Sequence, residues 1–175
     1  MFLNKIKLFL AISICLIFFF LTYNDVKSDE PKIISGIAKV IDGDTIKIEK
    51  NKIRLFGIDA PEKKQQCQKS WLSIFFLTLN KNYKCGEIST NKLRIKIDNK
   101  FVICKSSNKD RYNRFIAECF KDKTNINRWM VSSGYAVAYR KYSKKFVSQE
   151  NLAKKKKLGL WSGKFEMPWE WRKKN

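Results

Sequence analysis

An α+β fold, a small Greek-key barrel of short strands that carries helices, is what the sequence predicts. Three observations point there. Apolar and polar residues alternate over 33–41, 45–49 and 53–58; two more strand-like runs follow at 101–105 and 115–120; helical spacing governs 126–133 and 146–157. With 175 residues and 44% hydrophobic content, the chain can bury the core of one domain of ordinary size.

The first two strands meet at Asp42-Gly43, a dipeptide suited to a tight hairpin turn. Gly57 and Pro61 in "GIDAPE" end the third strand and open a loop. Between Cys67 and Cys85 the apolar residues Trp71, Leu72, Phe75, Phe76 and Leu79 fit helical spacing better than alternation, so this stretch reads as a stapled helical excursion. Residues 87–98 stay open: "LRIKI" alternates like a strand, while Ile88, Leu93 and Ile97 suit one helical face. Gly134 and Gly159 mark the ends of the two later helices. In the basic tail, Trp161 reads as core, and Trp169 and Trp171 as packed residues in preference to stacking platforms for bases.

Lys5 and Lys7 precede an apolar run from Leu8 to Leu21, and small residues near Ser28 follow, the layout of a secretory signal peptide over residues 1–28. The expectation is an exported protein, periplasmic or secreted; the alternative is an uncleaved anchor with the protein facing outside. The rest of the chain then reads as one domain over 29–163, carrying the excursion bracketed by Cys67 and Cys85, followed by a Trp-rich basic tail over 164–175.

Formal charge is +21, and removing residues 1–28 takes away three lysines and one aspartate to leave +19. Such a field recruits polyanions, nucleic acid first and anionic membrane or cell-wall polymer second, and makes the OB-fold the leading barrel. The chain has no histidine. That excludes Ser-His-Asp and Cys-His catalysis and histidine-based metal sites, leaving proton transfer to carboxylate, Lys, Tyr or metal-bound water.

Four cysteines lie beyond the leader, Cys67, Cys85, Cys104 and Cys119, with no C-x-x-C knuckle among them. Three disulfide pairings are possible. Cys67 with Cys85 and Cys104 with Cys119 is preferred, because "FVICK" and "FIAECF" read as neighbouring strands.

In a chain this basic, Asp42, Asp44, Asp59 and Glu62 gather in one short segment with Arg54 among them. Phosphodiester hydrolysis needs that mixture: a hard cation held by carboxylates, a base for water, and fixed positive charge on the phosphate oxygens. Asp44 and Asp59 at strand ends suit a divalent ion, Glu62 a water, and Arg54 and Arg114 the phosphate. Asp42, next to Gly43, reads as a turn-former.

"VIDGDTIKI", "IRLFGIDAPE", "DRYNR" and "GLWSG", in that order, resemble the signature blocks of the thermonuclease, or staphylococcal-nuclease-like, family over about residues 33–163. The resemblance implies a five-stranded OB-fold barrel with about three helices, with residues 87–98 as the first and the stretch near 67–85 as an insertion in the domain. It implies a calcium-dependent endonuclease, one Ca2+ per site, that cuts DNA and RNA with low specificity to leave 3′-phosphates. Asp44, Asp59 and the Ala60 carbonyl would bind the ion, and Glu62 would activate water. Arg54 and Arg114 would hold the phosphate, with Tyr112 and Tyr139 near the nucleotide. Two departures stand out. Ala60 replaces a threonine of the family's best-known member, and Asn113 replaces a glycine, at a place where asparagine tolerates left-handed backbone. The expected partners are DNA and RNA, with a monomer as the default. A non-catalytic OB-fold nucleic-acid binder is the alternative, and a cationic surface protein bound to anionic polymer a third; the presence of Asp44, Asp59, Glu62, Arg54 and Arg114 favours the enzyme.

Overall fold

In the computed structural model, the described residues are Ser13 and 30–175 without 76, and without the side chains of 71–74, 77 and 78. The expected leader therefore lies outside the described residues, Ser13 excepted. Among the described residues no helix is long and apolar enough to cross a membrane.

Five strands close a barrel. They are β1 (Lys32–Val40), β2 (Thr45–Ile48), β3 (Asn51–Leu55), β7 (Phe101–Lys109) and β8 (Phe115–Lys121), with β4 (Ile58–Asp59), β5 (Cys67–Ile74) and β6 (Leu77–Tyr83) lying between them in the chain. The order β3-β2-β1-β7-β8 is antiparallel, and the parallel pairing of β3 with β8, Ile53 opposite Phe115, closes the ring. Alternation decides which side chains face inward: Val102, Cys104 and Ser106 of β7 are buried while Phe101, Ile103 and Lys105 are exposed. Ile46, Ile48, Ile53 and Leu55 supply the opposite wall. This is the α+β OB-type barrel expected.

Residues 87–97 fall within α1 (Cys85–Ile97), and Asp98 is its C-cap. A strand would place Leu93, Ile95 and Ile97 on one face. Instead Leu93 and Ile97 are buried against the barrel while Ile95 is 69% exposed, the helical solution. After β9 (Thr124–Asn125), α2 (Ile126–Ser132) is capped by the Asn125 side chain, which accepts from the Arg128 N–H. Then come β10 (Val137–Ala138), α3 (Val147–Lys155), a 3₁₀ turn at Gly159–Ser162 and α4 (Pro168–Lys174). About three helices are expected; the fourth is α4, which begins at Pro168, where a fixed φ and a missing N–H suit a first turn.

The helical reading of 67–85 is corrected. The stretch forms an antiparallel hairpin of β5 with β6, in which Cys67 faces Tyr83 and Phe75 adopts φ 49° at the tip. The Cys67–Cys85 disulfide explains why: it holds the two Cα atoms 5.6 Å apart across a separation of 18 residues. A helix of that length would carry its ends roughly 27 Å apart. A segment tied at both ends must fold back, and a hairpin does so while satisfying its own backbone groups. The second bridge joins Cys104 to Cys119, directly opposed on β7 and β8, so the preferred pairing is the one present.

Candidate functional site

Short connections bring the acidic residues to one end of the barrel. In the β1–β2 turn, Asp42 accepts from the Asp44 N–H at 3.0 Å, and Ile41 N–H donates to the Thr45 carbonyl. Asp42 thus has the turn role expected of it. The register of β2 with β3 sets Thr45 opposite Arg54, and the Leu55 N–H reaches back to the Asp44 carbonyl at 2.8 Å. β4 pairs with β10, Asp59 opposite Val137, which fixes Asp59 from the other side.

Arg54 joins the two aspartates. Nη1 donates to Asp44 Oδ1 and Nη2 to Asp59 Oδ1 at 2.6 Å. Asp44 Oδ2 accepts the Ala60 N–H at 3.0 Å, and the Thr45 hydroxyl donates to Oδ1. Asp59 is fully buried and Asp44 nearly so. Burial opposes the ionised Asp44, but the Arg54 charge and the Ala60 N–H outweigh it and hold that carboxyl below its usual range. Burial, together with the neighbouring Asp44 charge, pushes Asp59 up against the pull of Arg172 and Arg54. Burial and Asp44 likewise push Asp42 up to about 6. Crowded carboxylates of this kind call for positive charge.

Glu62 is placed by backbone contacts. Its carbonyl accepts from Gln65 N–H at 2.7 Å, its N–H donates to Gln65 Oε1 at 3.2 Å, and Gly86 of α1 packs against its peptide. Gln65 is itself fully buried, and its Nε2 donates to the Glu166 carbonyl at 2.7 Å.

The tail, expected to be packed, is built into this site. Gln68 and Lys164 exchange backbone hydrogen bonds at 2.8 Å. Trp169 stacks on Tyr139, centroids 5.4 Å apart and planes within 6°. From the same helix, Arg172 donates from Nη2 to Asp59 Oδ2 at 2.8 Å, and from Nη1 to Asp59 Oδ1 at 3.1 Å and Glu62 Oε1 at 2.7 Å. Sequence reasoning missed Arg172. A signal was available in "PWEWR", where Trp169 and Arg172 stand three apart and share a helix face behind a helix-starting proline.

The structure thus gathers Asp44, Arg54, Asp59, Ala60 and Glu62, with Tyr139 beside them under Trp169. Arg114 and Tyr112 belong to a separate contact group in the β7–β8 turn. Arg114 donates from Nε to Asp110 Oδ2 at 2.8 Å, and its guanidinium lies 5.4 Å from the Tyr112 ring, which is 63% exposed. Asn113 adopts φ 61°, the left-handed geometry expected of it. Strand register carries Arg114 to within one residue of Phe115, the partner of Ile53.

The donor set suits a hard divalent ion. Oxygens of Asp44 and Asp59 reach one guanidinium and so stand side by side. Among the described residues no group of three or more His, Cys, Asp or Glu is gathered for a metal, so an ion here would draw on two carboxylates and backbone oxygen.

Residues 52–163 match the family model for staphylococcal nuclease homologues. The chain is 34% identical over 141 residues to the succinoglycan biosynthesis protein ExoI of Rhizobium meliloti, covering 79% of this chain and 69% of that one. It is 33% identical over 144 residues to an uncharacterized endonuclease of Escherichia coli O157:H7, covering 78% and 82%. To a micrococcal nuclease of Shigella flexneri it is 30% identical over 155 residues, covering 78% and 79%. With its barrel, its paired aspartates and these similarities, the chain belongs to the staphylococcal nuclease homologue family and is a nuclease.

Proposed function

We propose that the chain is an exported endonuclease that hydrolyses DNA and RNA phosphodiesters with little sequence preference, uses one calcium ion, and leaves 3′-phosphates. The observation that carries this reading is the convergence of Asp44 and Asp59 on Arg54, with Glu62 joined to the same cluster through Arg172.

Asp44, Asp59 and the Ala60 carbonyl would hold the ion, which when bound supplies fixed positive charge beside the phosphate. Glu62 takes the proton of the attacking water as the new oxygen–phosphorus bond forms. The bond from phosphorus to the 5′ oxygen breaks, and that oxygen takes up a proton from solvent water and leaves as a hydroxyl. Arg54 offers a planar fork to the charge that builds on the phosphate oxygens. Tyr139 and Tyr112 contact the nucleotide, and the basic surface draws the polyanion in. The two disulfides and the charged-then-apolar amino terminus support export, with residues 1–28 as the signal segment.

The test is cleavage of plasmid DNA and single-stranded RNA by wild type and Glu62→Gln, with calcium and with excess chelator, followed by end-group analysis. The expected result is calcium-dependent cutting by wild type, 3′-phosphate ends, and turnover lower by orders of magnitude in the variant. Binding of DNA without cutting by either protein would replace the enzyme with an OB-type binder.

A further inference from the structure

We propose that the tail is an autoinhibitory strap: α4 lays Arg172 over the carboxylates assigned to the cation and to the attacking water, and calcium enters only as that helix lets go. The inference rests on the proposed function of the site. Arg172 takes up both oxygens of Asp59, Nη2 donating to Oδ2 at 2.8 Å and Nη1 to Oδ1 at 3.1 Å, while Arg54 donates to Oδ1 at 2.6 Å. The Asp59 side chain is fully buried beneath them. Calcium needs carboxylate oxygen at about 2.3–2.6 Å, and a guanidinium cannot share that contact with a second cation. Arg172 Nη1 also donates to Glu62 Oε1 at 2.7 Å, which engages the proposed base.

Three residues earlier on the same helix, Trp169 stacks on Tyr139, centroids 5.4 Å apart, and covers the ring proposed to meet the nucleotide. One short element therefore lies on the ion ligand, the base and the nucleotide contact together. Its charge suits the place. Asp44, Asp59 and Glu62 gather three negative charges around the single positive charge of Arg54, and Arg172 supplies a second where the ion would supply its own.

The strap is fastened at one end and releasable at the other. Gln68 and Lys164 exchange backbone hydrogen bonds, Gln65 Nε2 holds the Glu166 carbonyl, and Pro168 is buried, so the start of the tail needs no help from Arg172 to stay docked. The Arg172 and Glu62 side chains are 34% and 37% exposed, so water and ions reach their contact and exchange there is easy. Because Arg172 and calcium exclude each other at Asp59, each weakens the other's hold by the same factor. Calcium binding and tail release are then one coupled event.

The experiment measures calcium affinity of the full chain by isothermal titration calorimetry for wild type, Arg172→Ala, Arg172→Gln and, as a control for lost charge on the same helix, Lys173→Ala. Near-ultraviolet circular dichroism checks folding, and amide hydrogen exchange of wild type is followed over residues 164–175 with and without saturating calcium. Both Arg172 variants should bind calcium about tenfold more tightly than wild type, and Lys173→Ala should stay within about two-fold. Calcium should speed exchange in α4 of wild type, and at subsaturating calcium the Arg172 variants should cut a single-stranded oligonucleotide faster. If the Arg172 variants do not fold, the wild-type exchange experiment decides by itself. Calcium affinity equal or weaker in the Arg172 variants, equal tightening by Lys173→Ala, or slower exchange in α4 with calcium would overturn the strap and leave the nuclease reading standing. Absence of calcium binding in every one of these proteins would overturn the calcium reading of the site and this proposal with it.

Discussion

Gly86 lies so close to Glu62 that a Cβ on residue 86 would sit 1.8 Å from the Glu62 carbonyl oxygen. The first turn of α1 and the loop bearing the proposed base are therefore packed backbone to backbone. Alanine normally stabilises a helix by about 1 kcal/mol over glycine. Here the sign reverses, because the obstructing atom is main chain and cannot rotate away. Gly86→Ala should lower unfolding free energy by about 1–3 kcal/mol in urea titration and depress turnover through a displaced Glu62. Unchanged turnover with full stability would mean that the loop has slack the packing does not suggest.

Arg54→Lys is a test of fork geometry. Arg54 reaches Asp44 with one nitrogen and Asp59 with the other, and burial of this cation is offset by those two charges. A lysine ammonium can stand between the aspartates, yet it cannot meet both carboxylates and a phosphate in one plane. Initial rates on DNA should fall about 100-fold or more while the protein stays folded. A variant within a few-fold of wild type would leave Arg54 as a purely structural cation.

How legible the site is depends on chain distance. Asp44, Arg54, Asp59 and Glu62 fall within 19 residues, and hairpin turns at Asp42-Gly43 and Gly57 force those positions together. Arg172 stands 113 residues beyond Asp59, and tertiary docking of the tail, by Lys164 on Gln68, Glu166 on Gln65 and Trp169 on Tyr139, brings it back. The hairpin of β5 and β6 was hidden for another reason: the spacing of Trp71, Leu72, Phe75, Phe76 and Leu79 satisfies a helix locally, and a constraint imposed at its ends by Cys67 and Cys85 decides otherwise. In residues 87–98 "LRIKI" alternates like a strand while Ile88, Leu93 and Ile97 suit one helical face, and packing decides: the helix buries Leu93 and Ile97 against the barrel and leaves Ile95 exposed.

That end constraint makes a prediction about stability. Cys67→Ala with Cys85→Ala removes a bridge of separation 18, worth about 3 kcal/mol by the chain-entropy model. The barrel strands do not depend on it, because β5 and β6 form a two-stranded sheet of their own. The double variant should keep barrel circular dichroism, unfold at lower urea concentration, and become sensitive to proteolysis between residues 67 and 85. Turnover should fall modestly, since Gln65, Gln68 and the tail meet at the hairpin's base.

Asp110 supplies a prediction with a defined pH window. Burial raises its pKa, but the hydrogen bonds and charge of Arg114, with the Tyr112 N–H, together outweigh that and set it below its ordinary 3.8. The native state therefore binds the proton less readily than the unfolded chain does. The stabilisation is present above about pH 4 and is lost as pH falls through the lower native value. The Asp110 side chain is 16% exposed and that of Arg114 24%, so the pair still feels solvent, and screening limits the contribution to about 1 kcal/mol. Asp110→Asn should be less stable than wild type by that small amount at pH 7, and the gap should close as the pH is lowered below about 4 in parallel denaturation curves. A gap that stays constant to pH 2 would locate the effect in the altered turn hydrogen bonds instead of the charge. At pH 7 the variant also frees Arg114 from its carboxylate. If Arg114 holds the phosphate as its motif implies, loss of that anchor should lower kcat on DNA several-fold, whereas an unchanged kcat would leave Arg114 outside the site.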